Sequence, residues 1–575
     1  MTQVVLGLNF GTHDAAAAIV SDGCVIAAAE EERFTRVKHV KAFPVEAIRY
    51  CLGAAGMKAF DLERVALYTD PKLQLLLPAV NLYHGFPASL RSFRSDLDKY
   101  RKRRALPRTI RRSGLFASGC RIVPVPHHLA HAASAYLPSP FEDALVITLD
   151  GRGEYETACV YEGQGGQLYR RHHLIYPHSV GYLYSSITRY LGFRPQRDEY
   201  KIMGLAAYGS PSLISKMERL ASFDSRDGRL RLDLRYFDHH CQRSEARCLY
   251  SPALVDLLGP PRSREEEITD RHRDIAFALQ RLLERLILDY LAYAQQLVPR
   301  RTLCLAGGIA LNCVVNEAIL ASGRFDAVYI QPAAGDAGTS LGAALLAAAG
   351  RRMPPRAVLD HAFLGPSYDD RSIAHSLRGL SAGRYEVRPS NDPCCEAAHL
   401  LHRGKTIGWF QGPMEFGPRA LGARCILAAA QDRDIVARIN MLIKRREIFR
   451  PLAPAVLAEA AADYFGIHHA GALVYPFMLA TAPVRPSKRN SIPAFVHIDG
   501  SARLQTVNRH TNPTFWRLIA NYRALSGIPV VLNTSLNVAD EPIVCSPTDA
   551  VRTFLQSGLD ALVIGRYVVE PRREG

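Results

Sequence analysis

Apolar residues along this chain follow two rhythms. In DIAFALQRLLERLILDYLAYAQQLV, residues 274–298, they recur every three or four positions, which predicts a long helix with one face in a core. In VVLGLNFGTHDAAAAIVSDGCVIAAAEEE, and again in ALVITLDGRGEYETACVYEGQGGQLYRRH, the apolar runs are short and continuous. Glycine-containing turns separate them, so each segment reads strand, turn, strand, turn, strand. The two segments form a weak internal repeat. Their first turns combine glycine with polar or acidic residues: Asn9, Gly11, His13 and Asp14 in one, Asp150, Gly151, Gly153 and Glu154 in the other. Turn glycines admit positive φ and let backbone amides approach an anion. RTLCLAGGIALNCVVNEAIL then predicts a buried strand that passes through Gly307–Gly308 into a helix.

The pattern breaks in GRRMPPRAVLDHAFLGPSYDD, rich in proline, glycine and charge, which predicts a boundary between domains 1–355 and 356–575. A second α/β region follows, through KTIGWFQGPMEFGPRALGARCILAAA, INMLIKRREIFRPLAPAVL and GIPVVLNTSLNVADEPIV. The duplicated hairpin before the boundary is similar to the actin-like ATPase and sugar-kinase fold, in which two such halves hold nucleotide phosphates.

Composition narrows the classes. A chain of 575 residues exceeds one core, and 48% hydrophobic with 22% charged residues is ordinary for a globular protein. No apolar run is long enough to span a bilayer, and MTQVVLGLNFGTHD lacks the basic and apolar regions of a secretory leader, so a cytoplasmic protein with no membrane partner is expected. The 12 cysteines show no CxxC spacing and fit reduced, mostly buried thiols. A net charge of +16 raises nucleic acid as a partner, above all through SLRSFRSDLDKYRKRRALPRTIRRSG near residues 89–112. A solvated face or steering of anionic substrates accounts for the same charge without one, and no aromatic-interleaved strand motif accompanies it.

Candidate chemistry begins at HHLAHAASAY. His127 and His131 stand four apart, on one face of a helix, and Asp150 ends a strand-forming run. With Asp336, in the loop of QPAAGDAGTSLGAA, they make a mixed nitrogen and oxygen donor set suited to iron(II), manganese or zinc. An HxxxH pair alone packs or caps as readily as it binds metal. After the boundary, Arg419, Arg424, Lys444, Arg446, Arg450 and Arg503 lie in or near shaped loops, and Asn533, Thr534 and Ser535 close the strand PVVL. Forked guanidiniums with hydroxyl and amide donors suit a phosphate or carboxyl-phosphate ligand.

EEERFTRVKH, HHLAHAASAY, LDGRGE, KIMGLAAYG, LAGGIALN, GDAGTSLGAA, FGPRALGAR, FRPLAP and LNTSLN, in that order, resemble the O-carbamoyltransferase family of nodulation protein U and cephalosporin carbamoyltransferase. The layout is close to that of tobramycin carbamoyltransferase (nebramycin 5′ synthase). The resemblance implies an α/β protein. Its N-terminal domain would be actin-like (ASKHA), similar to the tRNA threonylcarbamoyl transferase domain and with duplicated halves, and its C-terminal domain YrdC-like. It also implies two steps. Carbamoyl phosphate and ATP, with Mg(II), would give carbamoyl adenylate in the C-terminal domain. Arg419, Arg450, Arg503, Asn533 and Ser535 would hold carbamoyl phosphate there, with Lys444 and Arg424 toward the triphosphate and Arg446 among the ligand-binding residues. The adenylate would then meet the glycine loops of the N-terminal domain, through Gly151, Gly153, Glu154, Lys201, Gly204, Gly307, Gly308 and Asn312. A metal, Fe(II) by resemblance, would be held by His127, His131, Asp150 and Asp336. His13 matches the position that takes the proton of a small-molecule hydroxyl acceptor of natural-product or antibiotic type, an imidazole being suited to working pH. Lys38 would add positive charge near the transferring group. Arg152 stands where the tobramycin enzyme has a neutral amide, and it receives no role. A homodimer is left open. The competing readings are carbamoylation of tRNA or a nucleotide, and a non-catalytic ATP-binding regulatory module of the actin-like fold. The first turns on whether the basic stretch borders the N-terminal cleft.

Overall fold

The two segments that read as a repeat fold into two sheets of the same strand order. The structure, a computed structural model, describes residues 3–241, 249–349, 357–380, 383–432, 434–447, 449–450 and 452–572. The first sheet contains β1 (Val4–Asn9), β2 (Ala16–Ser21), β3 (Cys24–Glu30), β4 (Arg64–Leu67) and β5 (Arg121–Pro124), ordered β3-β2-β1-β4-β5. The second contains β6 (Asp143–Leu149), β7 (Glu156–Gln164) and β8 (Gln167–Ile175). After a separate hairpin, β9 (Ala221–Asp224) with β10 (Arg229–Leu232), come β11 (Thr302–Ala306) and β12 (Ala327–Ile330). Its order is β8-β7-β6-β11-β12. In each sheet the first strand pairs antiparallel with the next and parallel with the following one: β1 with β2 and β4, β6 with β7 and β11. This duplicated five-stranded plan is the actin-like architecture expected from the repeat.

The central strands β1, β2 and β6 are buried over nearly their whole length because helices cover them. The helix Asp336–Ala349 packs on β1 and β2 and against the helix His127–Tyr136. Both approaches are too close for a side chain. A Cβ on Gly7 would lie 1.9 Å from the Ser340 carbonyl oxygen, and one on Gly342 would lie 1.8 Å from that of Ala130. The periodic segment forms the helix Asp270–Leu297, started by a capping box at Thr269 and buried along Leu279, Leu283, Leu286 and Tyr290.

A second unit carries an eight-stranded mixed sheet. Its strands are β13 (Tyr385–Pro389), β14 (Ile407–Phe410), β15 (Arg424–Ala429), β16 (Ala453–Leu457), β19 (Gln505–Val507), β20 (Val530–Ser535), β21 (Ala561–Ile564) and β22 (Tyr567–Pro571). The order is β13-β22-β21-β14-β15-β20-β16-β19, and β17 (Thr481–Pro483) pairs separately with β18 (Ser501–Arg503).

The first unit comprises Met1–Ile26, Lys41–Pro44 and Cys51–Val358; the second comprises Ala27–Val40, Val45–Tyr50 and Leu359–Gly575. The division in the later chain falls after Val358, near the expected cut at 355. The motif EEERFTRVKH, which the cut places in the first domain, packs with the second unit. Its charges explain why. The buried Arg33 guanidinium pairs with Glu30 at 3.2 Å and Glu32 at 2.9 Å, and donates to the Gly417 carbonyl at 2.8 Å. Gly417 N–H donates to Glu30 Oε1 at 3.0 Å, and Arg36 donates to the carbonyls of Pro542 and Ile543, each at 2.6 Å. Glycine and carbonyl partners in FGPRALGAR cannot be read from the charges of EEER.

Within the first unit, His84, His178, His239 and His240 form a cluster of imidazoles. The His84 and His178 rings are 5.3 Å apart, and His239 stacks on Tyr182 at 4.7 Å. Burial pushes His178 and His240 down to about 4 and His239 to about 3. The unfolded chain therefore binds more protons below about pH 6.5, and stability falls as pH drops from there toward 4. His240→Asn is expected to make that fall shallower in thermal melts taken across this range. His13 and His127 shift the opposite way, so the comparison with the variant isolates the cluster.

Candidate metal centre and anion-binding cluster

Four side chains meet at the ends of the elements that carry them. His127 opens its helix and His131 follows one turn later on the same face, Asp150 stands one residue beyond β6, and Asp336 opens the helix packed against theirs. One donor atom from each lies within 4.8 Å of all the others. His127 Nε2 is 3.1 Å from Asp150 Oδ2 and 3.7 Å from Asp336 Oδ1; His131 Nε2 is 3.9 Å and 3.7 Å from the same two atoms. Gly308 N–H donates to the other oxygen, Asp150 Oδ1, at 3.3 Å and so orients the carboxylate.

This chemistry is unbalanced without a cation. His131 has no hydrogen-bond partner for either ring nitrogen among the described residues, nor has His127 for Nδ1. Such orphaned polar atoms in a buried site are costly. Burial would raise the pKa of Asp336, but His13, His131 and His127 hold it below the usual carboxylate range. Burial would lower His13, yet Asp336, Asp14 and Asp150 raise it to about 10. Two carboxylates and two imidazoles so placed fit a divalent ion with mixed ligation.

Neighbouring residues define the wall. His13 Nδ1 is 2.9 Å from Asp14 Oδ2 and its Nε2 is 3.7 Å from Asp336 Oδ2. Thr12 Oγ1 is 3.4 Å from that same oxygen and 3.0 Å from Tyr68 Oη, to which Arg103 also donates. Thr12 and Tyr68 carried no motif and were not singled out in the sequence, and Arg103 stood out only as part of the basic stretch. Among the glycines, Gly153 lies so near His127 and His128 that a Cβ would come within 3.0 Å of both rings. Gly307 has φ +97° and would place a Cβ 2.2 Å from the Leu149 carbonyl oxygen. Gly151 accepts from Ser179 Oγ at 2.8 Å through its carbonyl. Glu154 is an internal cap: its carboxylate accepts from His127 N–H at 3.1 Å, Thr69 Oγ1 at 2.8 Å and Asp70 N–H at 2.9 Å. Asn312 caps the helix Cys313–Ala321 and donates to Gln280 at 3.0 Å. Lys201 and Gly204 lie on the helix Glu199–Ala206, with Lys201 Nζ 3.3 Å from Asp198. Arg152 covers the Tyr176 ring at 5.1 Å.

In the second unit the cations gather around a turn. Lys444 Nζ donates to the carbonyl and side-chain oxygens of Ser535 and Asn537, with Ser535 Oγ at 3.2 Å and the Asn537 carbonyl at 3.1 Å. Burial lowers its pKa well below the lysine range, and Arg446, Lys38 and Arg450 lower it further. An anion would relieve that repulsion. A π-helical turn, Ile439–Ile443, precedes Lys444. In it Asn440 accepts from Arg446 Nε at 2.8 Å and donates to the Arg450 carbonyl at 2.9 Å. Asn533 ties two further loops together, donating to the Ala420 carbonyl beside Arg419 at 3.1 Å and to Gln505, two residues past Arg503, at 2.8 Å. Its Oδ1 is buried without a partner among the described residues. Lys38 stands with this group, since Arg450 and Asp540 are among the charges acting on it. Arg424 is fully buried with Phe410 at 3.7 Å, and it donates to the carbonyls of Gln411, Ala423 and Pro366 at 2.9, 3.1 and 3.0 Å. It braces the loop. Asn440, inside the apolar run INMLI, and Asn537, at the end of LNTSLN, were not singled out because the partners of their amides are set by the fold and not by their neighbours in sequence.

Comparison with known proteins matches both units. The family model described as carbamoyltransferase N-terminus covers residues 4–345, and that described as carbamoyltransferase C-terminus covers residues 398–571. The chain is 38% identical over 610 residues to an uncharacterized protein of Synechocystis sp., covering 99% of this chain and 98% of that one. It is 37% identical to nodulation protein NolNO of Sinorhizobium fredii, over 98% of this chain and 80% of the relative. To nodulation protein U of the same species it is 29% identical, over 92% of each.

Proposed function

The chain belongs to the carbamoyltransferase family, and from that premise we propose that it O-carbamoylates a small hydroxylated acceptor in two steps. In the second unit water cleaves carbamoyl phosphate to carbamate and inorganic phosphate, and the carbamate oxygen attacks the α-phosphorus of ATP, as its magnesium complex, to give carbamoyl adenylate and release pyrophosphate. In the first unit the carbamoyl group passes to the acceptor hydroxyl, and AMP leaves. The observation that carries this reading is the convergence of His127, His131, Asp150 and Asp336 within 4.8 Å in a buried wall, with partnerless ring nitrogens.

The residues divide the work. Arg419, Arg450, Arg503, Asn533 and Ser535 bind carbamoyl phosphate, while Lys444, Arg446 and Lys38 face the triphosphate and offset charge as pyrophosphate departs. Lys38 is thereby assigned to the first step. Arg424 and Asn440 hold the loops that present the others. In the first unit His127, His131, Asp150 and Asp336 would hold a divalent ion, Fe(II) in our reading. That ion would supply Lewis acidity toward the transferring group. His13 would accept the proton of the acceptor hydroxyl at Nε2 once a bound cation offsets the Asp336 and Asp150 charge that otherwise keeps the ring protonated, and Asp14 orients it through Nδ1. The glycines at 151, 153, 307 and 308 keep these turns free of side-chain bulk beside the adenylate, while the N–H groups of Gly153, Gly307 and Gly308 hold the turns themselves by donating to Glu156, Ala334 and Asp150.

Pyrophosphate release from ATP by the purified chain, with no acceptor present, tests the first step. Release that depends on carbamoyl phosphate is expected; its absence in metal-loaded, folded protein, with and without a panel of hydroxylated metabolites, would contradict the reading. One observation favours a second acceptor class. The basic helix Phe93–Arg112 borders the transfer site, since Arg103 reaches Tyr68 and the Leu106 side chain lies over Gly11, where a Cβ would come within 2.8 Å of it. A tRNA or nucleotide acceptor is therefore included in the same panel.

A further inference from the structure

Residues 73–90 contain no Asp, Glu, Lys or Arg, and they lead directly into the most basic stretch of the chain. The helix Leu76–Gly85 and the segment after it are firmly seated on one side. Leu77 and Asn81 are buried, and Asn81 Nδ2 donates to Ser92 Oγ at 2.8 Å, Asp96 Oδ2 at 2.9 Å and the His240 carbonyl at 3.0 Å. The other side is apolar and open. Tyr83 is 83% exposed, Phe86 70%, Leu90 55% and Leu75 50%, with Leu76 and Phe93 beside them. Exposed large apolar groups clustered within twenty residues on a fixed scaffold mark an interaction surface. The helix that follows exposes Arg94, Lys102, Arg104, Arg108, Arg111 and Arg112.

We propose that residues 73–112 seat the protein on the surface of an anionic lipid bilayer, with Leu75, Leu76, Tyr83, Phe86 and Leu90 entering the headgroup boundary and the arginines meeting lipid phosphates. Aliphatic and aromatic side chains flanked by a cationic helix are the composition of a surface-lying anchor. Nucleic acid would use the basic helix alone and leave the uncharged apolar face exposed to water. The expectation of no membrane partner rested on the lack of a spanning segment. Among the described residues no helix is long and apolar enough to cross a membrane, and a surface anchor needs none. Because the same helix reaches Tyr68 through Arg103, docking would place the metal-ligand cluster close to the bilayer face.

The test is co-sedimentation of the full chain with phosphatidylcholine vesicles with and without phosphatidylglycerol. Binding is expected only to the anionic vesicles and should weaken as salt rises. The triple variant Leu76→Asp, Tyr83→Asp, Phe86→Asp should lower partitioning at least tenfold. The charge reversals Arg104→Glu, Arg108→Glu and Arg111→Glu should do so comparably at low salt. All six positions are exposed, so melting midpoints should stay at the wild-type value. Failure of the wild-type chain to bind vesicles overturns the proposal, as does undiminished binding by the apolar triple variant. Binding of RNA that the apolar substitutions leave intact, without vesicle binding, would make the basic helix a nucleic-acid surface instead. Loss of a dimer in the apolar variant, again without vesicle binding, would make the patch a contact between copies.

Discussion

Replacing His131 with alanine is expected to cut carbamoyl transfer by about 10³-fold or more, equivalent to roughly 4 kcal/mol of transition-state stabilisation. Carbamoyl-phosphate-dependent pyrophosphate release should stay within about twofold of wild type, because the cations assigned to that step belong to the other unit. The ring is fully buried with Nε2 3.7 Å from Asp336 and 3.9 Å from Asp150, so its removal leaves a small cavity and withdraws one of the three imidazoles that hold Asp336 charged. A modest drop in melting midpoint is expected. Measuring both half-reactions on the same preparation separates a lost ligand from a lost fold. Equal loss of both steps would contradict the division of labour.

Arg450→Ala should do the reverse. Arg450 lies among Lys38, Lys444 and Glu447, and its carbonyl, not its guanidinium, is what Asn440 grips. The loop should therefore hold when the side chain is cut. Loss of a forked, charge-assisted contact to phosphate is worth on the order of 2–3 kcal/mol, or roughly 10²-fold in kcat/KM for carbamoyl phosphate. Synthetic carbamoyl adenylate, supplied directly, should restore transfer. Arg450→Lys should recover only part of the first step, since an ammonium keeps the charge and loses the fork. A variant that stays inactive with the adenylate would place Arg450 in the second step.

Much of the site could be read before the structure was known because it lies where chain geometry is simple. A four-residue spacing on one helix, a carboxylate at a strand end and another at a helix start are local features, and these four residues do converge. The duplicated sheets were legible for a similar reason: continuous apolar strands broken by glycine turns report their own burial. Partners set by the tertiary fold were not legible. Arg424 looks like its neighbours Arg419 and Arg450 in sequence, yet its donors go to three carbonyls of its own unit. Glu154, next to the glycine turn, caps the helix that carries His127. EEERFTRVKH carries part of the resemblance, but nothing in it shows that Arg33 and Glu30 clamp the FGPRALGAR loop from inside. Charge and glycine content announce chemistry, whereas the choice between holding a ligand and holding a loop depends on what folds against them.

The claim that the first unit uses a metal-assisted transfer centre is tested most directly by metal content. The full chain should be reconstituted anaerobically with Fe(II), and in parallel with Mn(II) and Zn(II), desalted, and analysed for bound metal per chain. One tightly held ion in the wild-type protein, falling to near zero in both His131→Ala and Asp336→Asn with the fold retained, is the predicted result. A wild-type chain that holds no ion, or variants that hold it as well as wild type, would contradict the assignment of His127, His131, Asp150 and Asp336 as its ligands.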